Sequence, residues 1–323
     1  MENIKPEVVR SSYFDNIKGL LIILVVFGHL LEDFLNLGFI KYLYILIFSF
    51  HIPLFVFCSG YFATNINLIK IVKRLIFPYV VFQTLYFFFN RYLMKNTGVT
   101  YNFTDPAWTL WYLLSLAFWG VLVQFIKEVN IRIILMAFII GLLAGFNNSI
   151  GSYLSLSRTF VFFPFFLLGF YCNKNKIDFD KFKKNKLLIV LISLLSVVIA
   201  LVLYVYIKKI DVMWLYSFLS YQSLNYNLII RLGIYLVALI FSAMIMIIVP
   251  SSKIYKITNI GINSMVVYLL HGFIIRSLER VFPYGILSSN VKIISYLVIT
   301  TIVIVLTLSS KYVTALFQKI FKK

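Results

Sequence analysis

Apolar residues in this chain come in long runs, without the period-two alternation of half-buried strands. Crossing a bilayer takes roughly 20 mainly apolar residues. Ten segments fit: 17–35, 42–62, 75–93, 108–126, 131–147, 158–172, 187–207, 228–249, 262–278 and 293–310. The fifth and sixth are short. The stretch 212–227 carries Met213, Trp214, Leu215 and Phe218 but is rich in Ser, Asn and Tyr, and reads as an interfacial loop. The pattern predicts an all-α, polytopic membrane helix bundle of about ten transmembrane helices. Residues 1–323 read as a single membrane-embedded domain with no repeat and no appended soluble domain. The first apolar run lacks a small-residue cleavage site and reads as a span, not a signal peptide.

Composition supports the membrane reading. The chain is 62% hydrophobic and 13% charged, with 33 Phe and 22 Tyr, against about 45–50% apolar and about 25% charged in soluble domains. The net charge of +19 does not point to nucleic acid. Its basic residues sit in short loops between apolar runs, as the positive-inside rule places them. With the N-terminus inside, cytoplasmic segments hold twenty of the thirty Lys and Arg, including Lys5, Arg10, Lys18, Lys70, Lys73, Arg74, Lys127, Lys322 and Lys323. Both termini are therefore expected in the cytoplasm. The most basic loop, 173–186, is placed to rest on anionic membrane lipid. Cys58 and Cys172 have no metal or disulfide spacing and are expected to be free thiols.

Ionisable groups are costly in hydrocarbon and usually face the bundle interior. Lys18 and His29 lie in the first span. Eleven residues at 100° each bring them onto one face, about 16 Å apart along the axis. A cation at the mouth and an imidazole deeper in one groove suit a long anionic ligand, although Lys18 also reads as an interfacial anchor. Glu32 and Asp33 follow His29 at helical-neighbour spacing. Either carboxylate is a candidate to orient the imidazole, as an acid does in a triad, or a solvated span end. His51 stands mid-span in Phe50-His51-Ile52-Pro53, ahead of Ser59-Gly60, where small residues permit close approach. Arg74, beside Lys70 and Lys73, is a candidate phosphate fork or ordinary positive-inside charge. Ser264, Tyr268 and His271 form one helical stripe. Arg158 heads the sixth span, and Trp108, Trp111 and Tyr112 open the fourth as interfacial aromatics. Phosphate-loop, dinucleotide, zinc-protease and nucleophile-elbow motifs are absent. The three histidines, on separate spans, have no metal-ligand spacing, so no metal is expected.

The run Tyr13-Phe14-Asp15-Asn16-Ile17-Lys18-Gly19-Leu20 to Gly28-His29 resembles the opening of the acyltransferase family 3 membrane proteins, with Lys18 where arginine is commoner. Phe50-His51-Ile52-Pro53-Leu54-Phe55 to Ser59-Gly60-Tyr61 resembles the second motif of that family, and Lys73-Arg74-Leu75 with Pro78 its third. Arg158 with Phe163-Pro164-Phe165, and Ser264 with Tyr268 and His271, look like later motifs. The nearest likeness is to the fucose 4-O-acetylase-like or capsular polysaccharide O-acetyltransferase branch. The resemblance implies an O-acyltransferase of the bacterial cytoplasmic membrane, moving acetyl from cytoplasmic acetyl-CoA, its only expected cofactor, to a hydroxyl of a glycan acceptor. An abundance of Ile, Lys, Asn and Phe fits an AT-rich bacterial genome.

Lys18, Lys73 and Arg74 are then expected to bind CoA phosphates, and His29 to act as general base. Glu32 or Asp33 is expected to orient His29. Ser59 and His271 are candidates for positioning or oxyanion stabilisation. Asp15, His51, Trp111, Arg158, Ser264 and Tyr268 are expected to bind substrate or shape the site. Other polysaccharide-biosynthesis membrane proteins are the expected protein partners. A glycan transporter or flippase is the competing reading, but no paired broken helices mark it. A glycan polymerase would be expected to carry a larger, Arg-rich outer loop.

Overall fold

The computed structural model describes residues 11–63, 67–126, 128–282 and 284–321, which are helical and contain no strand. Lys5, Arg10, Lys127, Lys322 and Lys323 lie outside the described residues. The helices are α1 (Ser12–Leu31), α2 (Gly38–Tyr61), α3 (Leu68–Ile71), α4 (Phe77–Phe88), α5 (Trp111–Phe125), α6 (Ile131–Leu143) and α7 (Leu156–Lys174). After them come α8 (Phe179–Lys184), α9 (Lys186–Val205), α10 (Leu228–Ile248), α11 (Tyr255–Ile262), α12 (Ser264–Val281), α13 (Asn290–Leu308) and α14 (Lys311–Phe321). Asparagine caps start several of them: Asn130, Asn185 and Asn227 accept from backbone N–H groups of α6, α9 and α10, satisfying donors that a helix start leaves open.

Among the described residues, six helices are long and apolar enough to cross a membrane, at 12–34, 38–61, 153–174, 186–205, 228–248 and 290–308. A seventh counts if α11 and α12, bent by 79° at Asn263, form one broken span. The ten expected spans therefore all fall on helix, but three are not long uniform helices. The segment 75–93 is α4 flanked by π-helical turns at Val72–Ile76 and Phe89–Leu93. The segments 108–126 and 131–147 hold the shorter helices Trp111–Phe125 and Ile131–Phe146. The sixth span, short in the sequence, lengthens to Tyr153–Lys174. The stretch 212–227 is a 3-10 turn at Val212–Tyr216 followed by irregular chain, as its polarity predicts.

Two backbone-to-backbone crossings hold the helices that carry the polar groups. A β-carbon at Gly60 would strike the Phe166 carbonyl, and one at Gly169 would strike that of Phe57, so α2 and α7 touch main chain to main chain. Gly19 and Gly261 do the same for α1 and α11, against Ile257 and Asp15. Small residues permit this packing inside membranes, where apolar burial alone does not drive helices together. Beside the second crossing, the Asn16 amide donates to the Pro250 and Ser252 carbonyls at 3.0 and 2.8 Å and accepts from Thr258 at 2.6 Å. The outer members of the bundle are looser. α9 turns most of its apolar side chains outward, as a lipid-facing helix must.

Gly169→Leu is expected to force α2 and α7 apart, at the cost of about 1–3 kcal/mol seen for overpacked interiors. Gly233→Ala, where an added methyl meets nothing within 4 Å, is expected to be neutral. Thermal unfolding of both variants in one detergent checks the difference, and equal Tm values would refute the crossing as a determinant of stability.

Candidate active site

A cavity of about 730 Å³ opens between α1, α2, α5, α7 and the start of α12, within the range of small-molecule sites. Lys18, Lys70, Arg74 and Asn173 line one end, and His29, His51, Trp108, Trp111, Arg158 and Tyr216 line the deeper part. Along α1 the rise from Lys18 to His29 is about 16 Å, and along α7 that from Asn173 to Arg158 is about 22 Å. One groove therefore joins a basic mouth to an imidazole.

At the mouth, Lys18 pairs with the buried Asp15 at 2.8 Å and lies 5.4 Å from the Phe62 ring centre. Asp15 thus acts on the site through Lys18. Arg74 sits inside the π-turn Val72–Ile76, where the Phe77 N–H reaches back five residues to the Val72 carbonyl. Such a turn re-aims side chains and recurs at functional sites. Lys70, one α-helical turn before Arg74, lines the cavity with it. Lys73 is exposed and does not reach it. Lys70 stands where the sequence reading placed Lys73.

At the deep end, His29 Nδ1–H donates to Glu32 Oε1 at 2.7 Å. The same oxygen accepts from the Tyr216 hydroxyl at 3.1 Å. Tyr216 has one proton and gives it to Glu32, so Tyr44, its other partner, donates to it in turn. Burial, then the neighbouring Glu32 charge, pushes the Tyr216 phenol well above its ordinary value, keeping it a donor. The network fixes the His29 tautomer and leaves Nε2 as the basic atom. Asp33 is exposed, one position round the helix, and makes no such bond to His29. The choice left open between the two carboxylates resolves to Glu32.

Aromatic rings wall this end. The Trp108 ring centre stands 4.6 Å from that of His29, and the Arg276 guanidinium covers Trp108 at 4.6 Å while pairing with Glu279 at 2.8 Å. Trp108 has φ of 41°, rare for so large a side chain, and it packs where Gly272 leaves room. Sequence reasoning took Trp108 for an interfacial aromatic. Tyr44, Tyr216 and Arg276 were not expected there; Tyr216 had the Ser-, Asn- and Tyr-rich character of 212–227 as its signal, and Arg276 its charge inside the apolar segment 262–278.

The other two histidines share a design. His51 Nδ1–H donates to the Ile47 carbonyl at 2.8 Å and His271 Nδ1–H to that of Val267 at 3.0 Å. A carbonyl only accepts, so in each neutral ring Nε2 is left as an acceptor. His51 lines the cavity. Its helix runs through Pro53 without interruption. His271 is fully buried behind the lining, 5.5 Å from His29 ring to ring. Of its expected stripe, Ser264 and Tyr268 line the cavity and His271 does not; Tyr268 bonds the Thr109 carbonyl at 2.7 Å. Ser59 lines it too, bonded to the Tyr112 hydroxyl at 2.7 Å with no histidine beside it. Arg158 donates through Nε to the Tyr216 carbonyl at 3.0 Å and lies between the rings of Trp111 and Phe218.

A sequence family described as an acyltransferase domain matches residues 11–309. The chain belongs to that family and is a membrane acyltransferase. No curated protein and no solved structure matches it.

Glu32→Gln is expected to lower acyl transfer by on the order of 10²-fold, within the usual contribution of general-base catalysis, because an amide would not stabilise an imidazolium at His29 if that ring takes up a proton. Asp33→Asn should leave the rate within two-fold, on the order of the scatter between surface variants. Steady-state rates of the two purified variants decide it; equal losses would remove the special role of Glu32.

Proposed function

We propose that the protein transfers an acetyl group from cytoplasmic acetyl-CoA to a hydroxyl of a cell-surface or capsular polysaccharide, or of its lipid-linked precursor. The carrying observation is the single cavity with a basic mouth at Lys18, Lys70 and Arg74 and the His29–Glu32 pair about 16 Å deeper. In this reading the Lys18 end faces the cytoplasm of a bacterium, as do both termini, and all ten helical segments lie in the membrane.

The CoA phosphates dock on the three cations, whose charge complements them. The pantetheine arm extends along the groove and delivers the thioester to His29. His29 Nε2 takes the proton of the acceptor hydroxyl as its oxygen attacks the thioester carbonyl. The tetrahedral intermediate collapses, the ester forms, and the sulfur leaves with the proton that His29 returns. Glu32, held by Tyr216, stabilises the imidazolium between the two steps. Among the described residues Ser59 is hydrogen-bonded to the Tyr112 hydroxyl and not to a base, and the free ring nitrogen of His271 is an acceptor with no place at the lining. The geometry therefore favours direct transfer without an acyl-enzyme. Trp108, Tyr268 and the other apolar walls exclude water, protecting the thioester from hydrolysis.

The test is CoA release and ester formation by purified protein in lipid nanodiscs with acetyl-CoA and an acceptor glycan. His29→Ala is expected to cut kcat by about 10²–10⁴-fold. Lys18→Ala and Arg74→Ala should act mainly on the KM for acetyl-CoA. Near-wild-type turnover of His29→Ala would sink the mechanism. An NMR spectrum of the surface glycan, unchanged when the protein is deleted, would sink the choice of acceptor.

A further inference from the structure

Two arginines of this bundle, the buried Arg231 and the half-buried Arg158, form no ion pair with a carboxylate among the described residues, and they differ in what their forks face. Arg231, 1% exposed, has both Nη groups pointed at protein oxygens: the carbonyls of Gly141 and Leu219 and the Tyr226 hydroxyl. It also lies over the rings of Tyr221 and Tyr226 at 4.7 and 5.3 Å. It does not line the cavity, and its role is to tie α6 and α10 to the loop 219–226.

Arg158 is built otherwise. Its guanidinium carbon stands 4.8 and 4.9 Å from the ring centres of Trp111 and Phe218, and one N–H, on Nε, goes to the Tyr216 carbonyl. Its Nη groups have no acceptor among the described residues, while the side chain lines the cavity. Glu32 is bound to His29 and Tyr216, and Asp105, whose charge reaches Arg158 without forming an ion pair with it, is exposed on the loop before α5. Aromatic contact offsets part of the cost of a cation removed from water. The rest is met when an anion arrives. With Nε anchored and both Nη groups left without an acceptor among the described residues, the fork is open to carboxylate or phosphate oxygens, which a guanidinium receives in pairs.

We propose that Arg158 binds an anionic group of the acceptor, so that the glycan acetylated here carries a carboxylate or a phosphate near the reacting hydroxyl. The proposal rests on the reading of the cavity as an acyl-transfer chamber. Tyr216 sets the spacing: its carbonyl holds Arg158 and its hydroxyl holds Glu32, so the anion site and the base are fixed to one residue. The lysines and Arg74 at the mouth lie at the far end of the groove, which leaves Arg158 to the acceptor.

The probes are octyl glucoside, octyl glucuronide and octyl glucoside 6-phosphate, offered to the full chain in nanodiscs. Binding is read from tryptophan fluorescence, to which Trp111 contributes, and transfer from acetyl-CoA is read separately. The wild type is expected to bind at least one anionic glycoside ten-fold or more tighter than the neutral one. The favoured probe tells carboxylate from phosphate. Arg158→Gln should abolish the preference. Arg158→Lys, which keeps charge but loses the fork, should reduce it at least three-fold, and it decides the matter if the glutamine variant does not fold. Equal affinity for the three glycosides, no binding of any, or a preference unchanged in the variants overturns the proposal. Acetyl transfer without anion preference defeats this inference and spares the acetyltransferase reading. Anion preference without transfer to any probe supports the site and counts against a glycan acceptor.

Discussion

Inside an apolar bundle, a polar side chain has no water to fall back on, and each one must find its partner among the helices or in a cavity. The bond from His29 to Glu32 is where this constraint is felt most. A carboxylate and an imidazole at the end of α1 stabilise each other, and Glu32 still has acceptor capacity that Tyr216 fills. Once Glu32 is fixed, Tyr216, Tyr44 and the chain before Ser217 are fixed too, because each supplies or accepts the next proton in line. The cavity owes its polar end to this chain of bonds, and its apolar walls to Trp108, Phe48 and Phe55 around it.

Much of this was legible in the sequence, where helical periodicity carries the information. Lys18 and His29 share a face because eleven residues close three turns, and the structure puts both on one cavity. Ser264 and Tyr268 follow the same arithmetic. Periodicity fails where the helix stops being regular. Glu32–Phe34 is a 3-10 turn, so the choice between Glu32 and Asp33 depended on a change of pitch that neither residue announces. Lys73 was chosen from its place in the Lys73-Arg74-Leu75 run, although the i,i+4 spacing of Lys70 and Arg74 is the one that shares a face, and those two line the cavity. Asn263 breaks a span into α11 and α12 at 79°. Hydropathy sees apolar content there and is blind to direction.

Long-range placement was the other limit. Trp108 beside His29 requires a left-handed backbone that only tertiary packing imposes. Tyr216 is nearly two hundred residues from Glu32 along the chain, and in isolation its segment reads as interface. The expected count of ten crossings rested on composition. The segments 108–126 and 131–147 keep the composition but form helices of 15 and 13 residues, since turns take up their ends; the turn at Trp108 and Thr109 reaches the cavity.

The loop that supplies Tyr216 shows how stability remote from the chemistry serves it. Ser217 adopts a φ of 55°, a conformation that costs a non-glycine residue free energy and persists only where its surroundings hold it. Here they do. Ser157 bonds the Ser217 carbonyl at 2.9 Å, Tyr221 bonds Gly145 and Leu142, and Arg231 grips Leu219 and Tyr226. The loop is thus clamped on both sides of its strained residue, and Tyr216 inherits a fixed position. A buried arginine that touches no ligand therefore bears on the site through four steps: Arg231 holds the loop, the loop holds Tyr216, Tyr216 holds Glu32, and Glu32 aims His29. The buried apolar clusters of the bundle pack the helices together, and this line of hydrogen bonds adds what apolar contact does not supply: a direction for each polar group, passed from Arg231 outside the cavity to His29 on its wall.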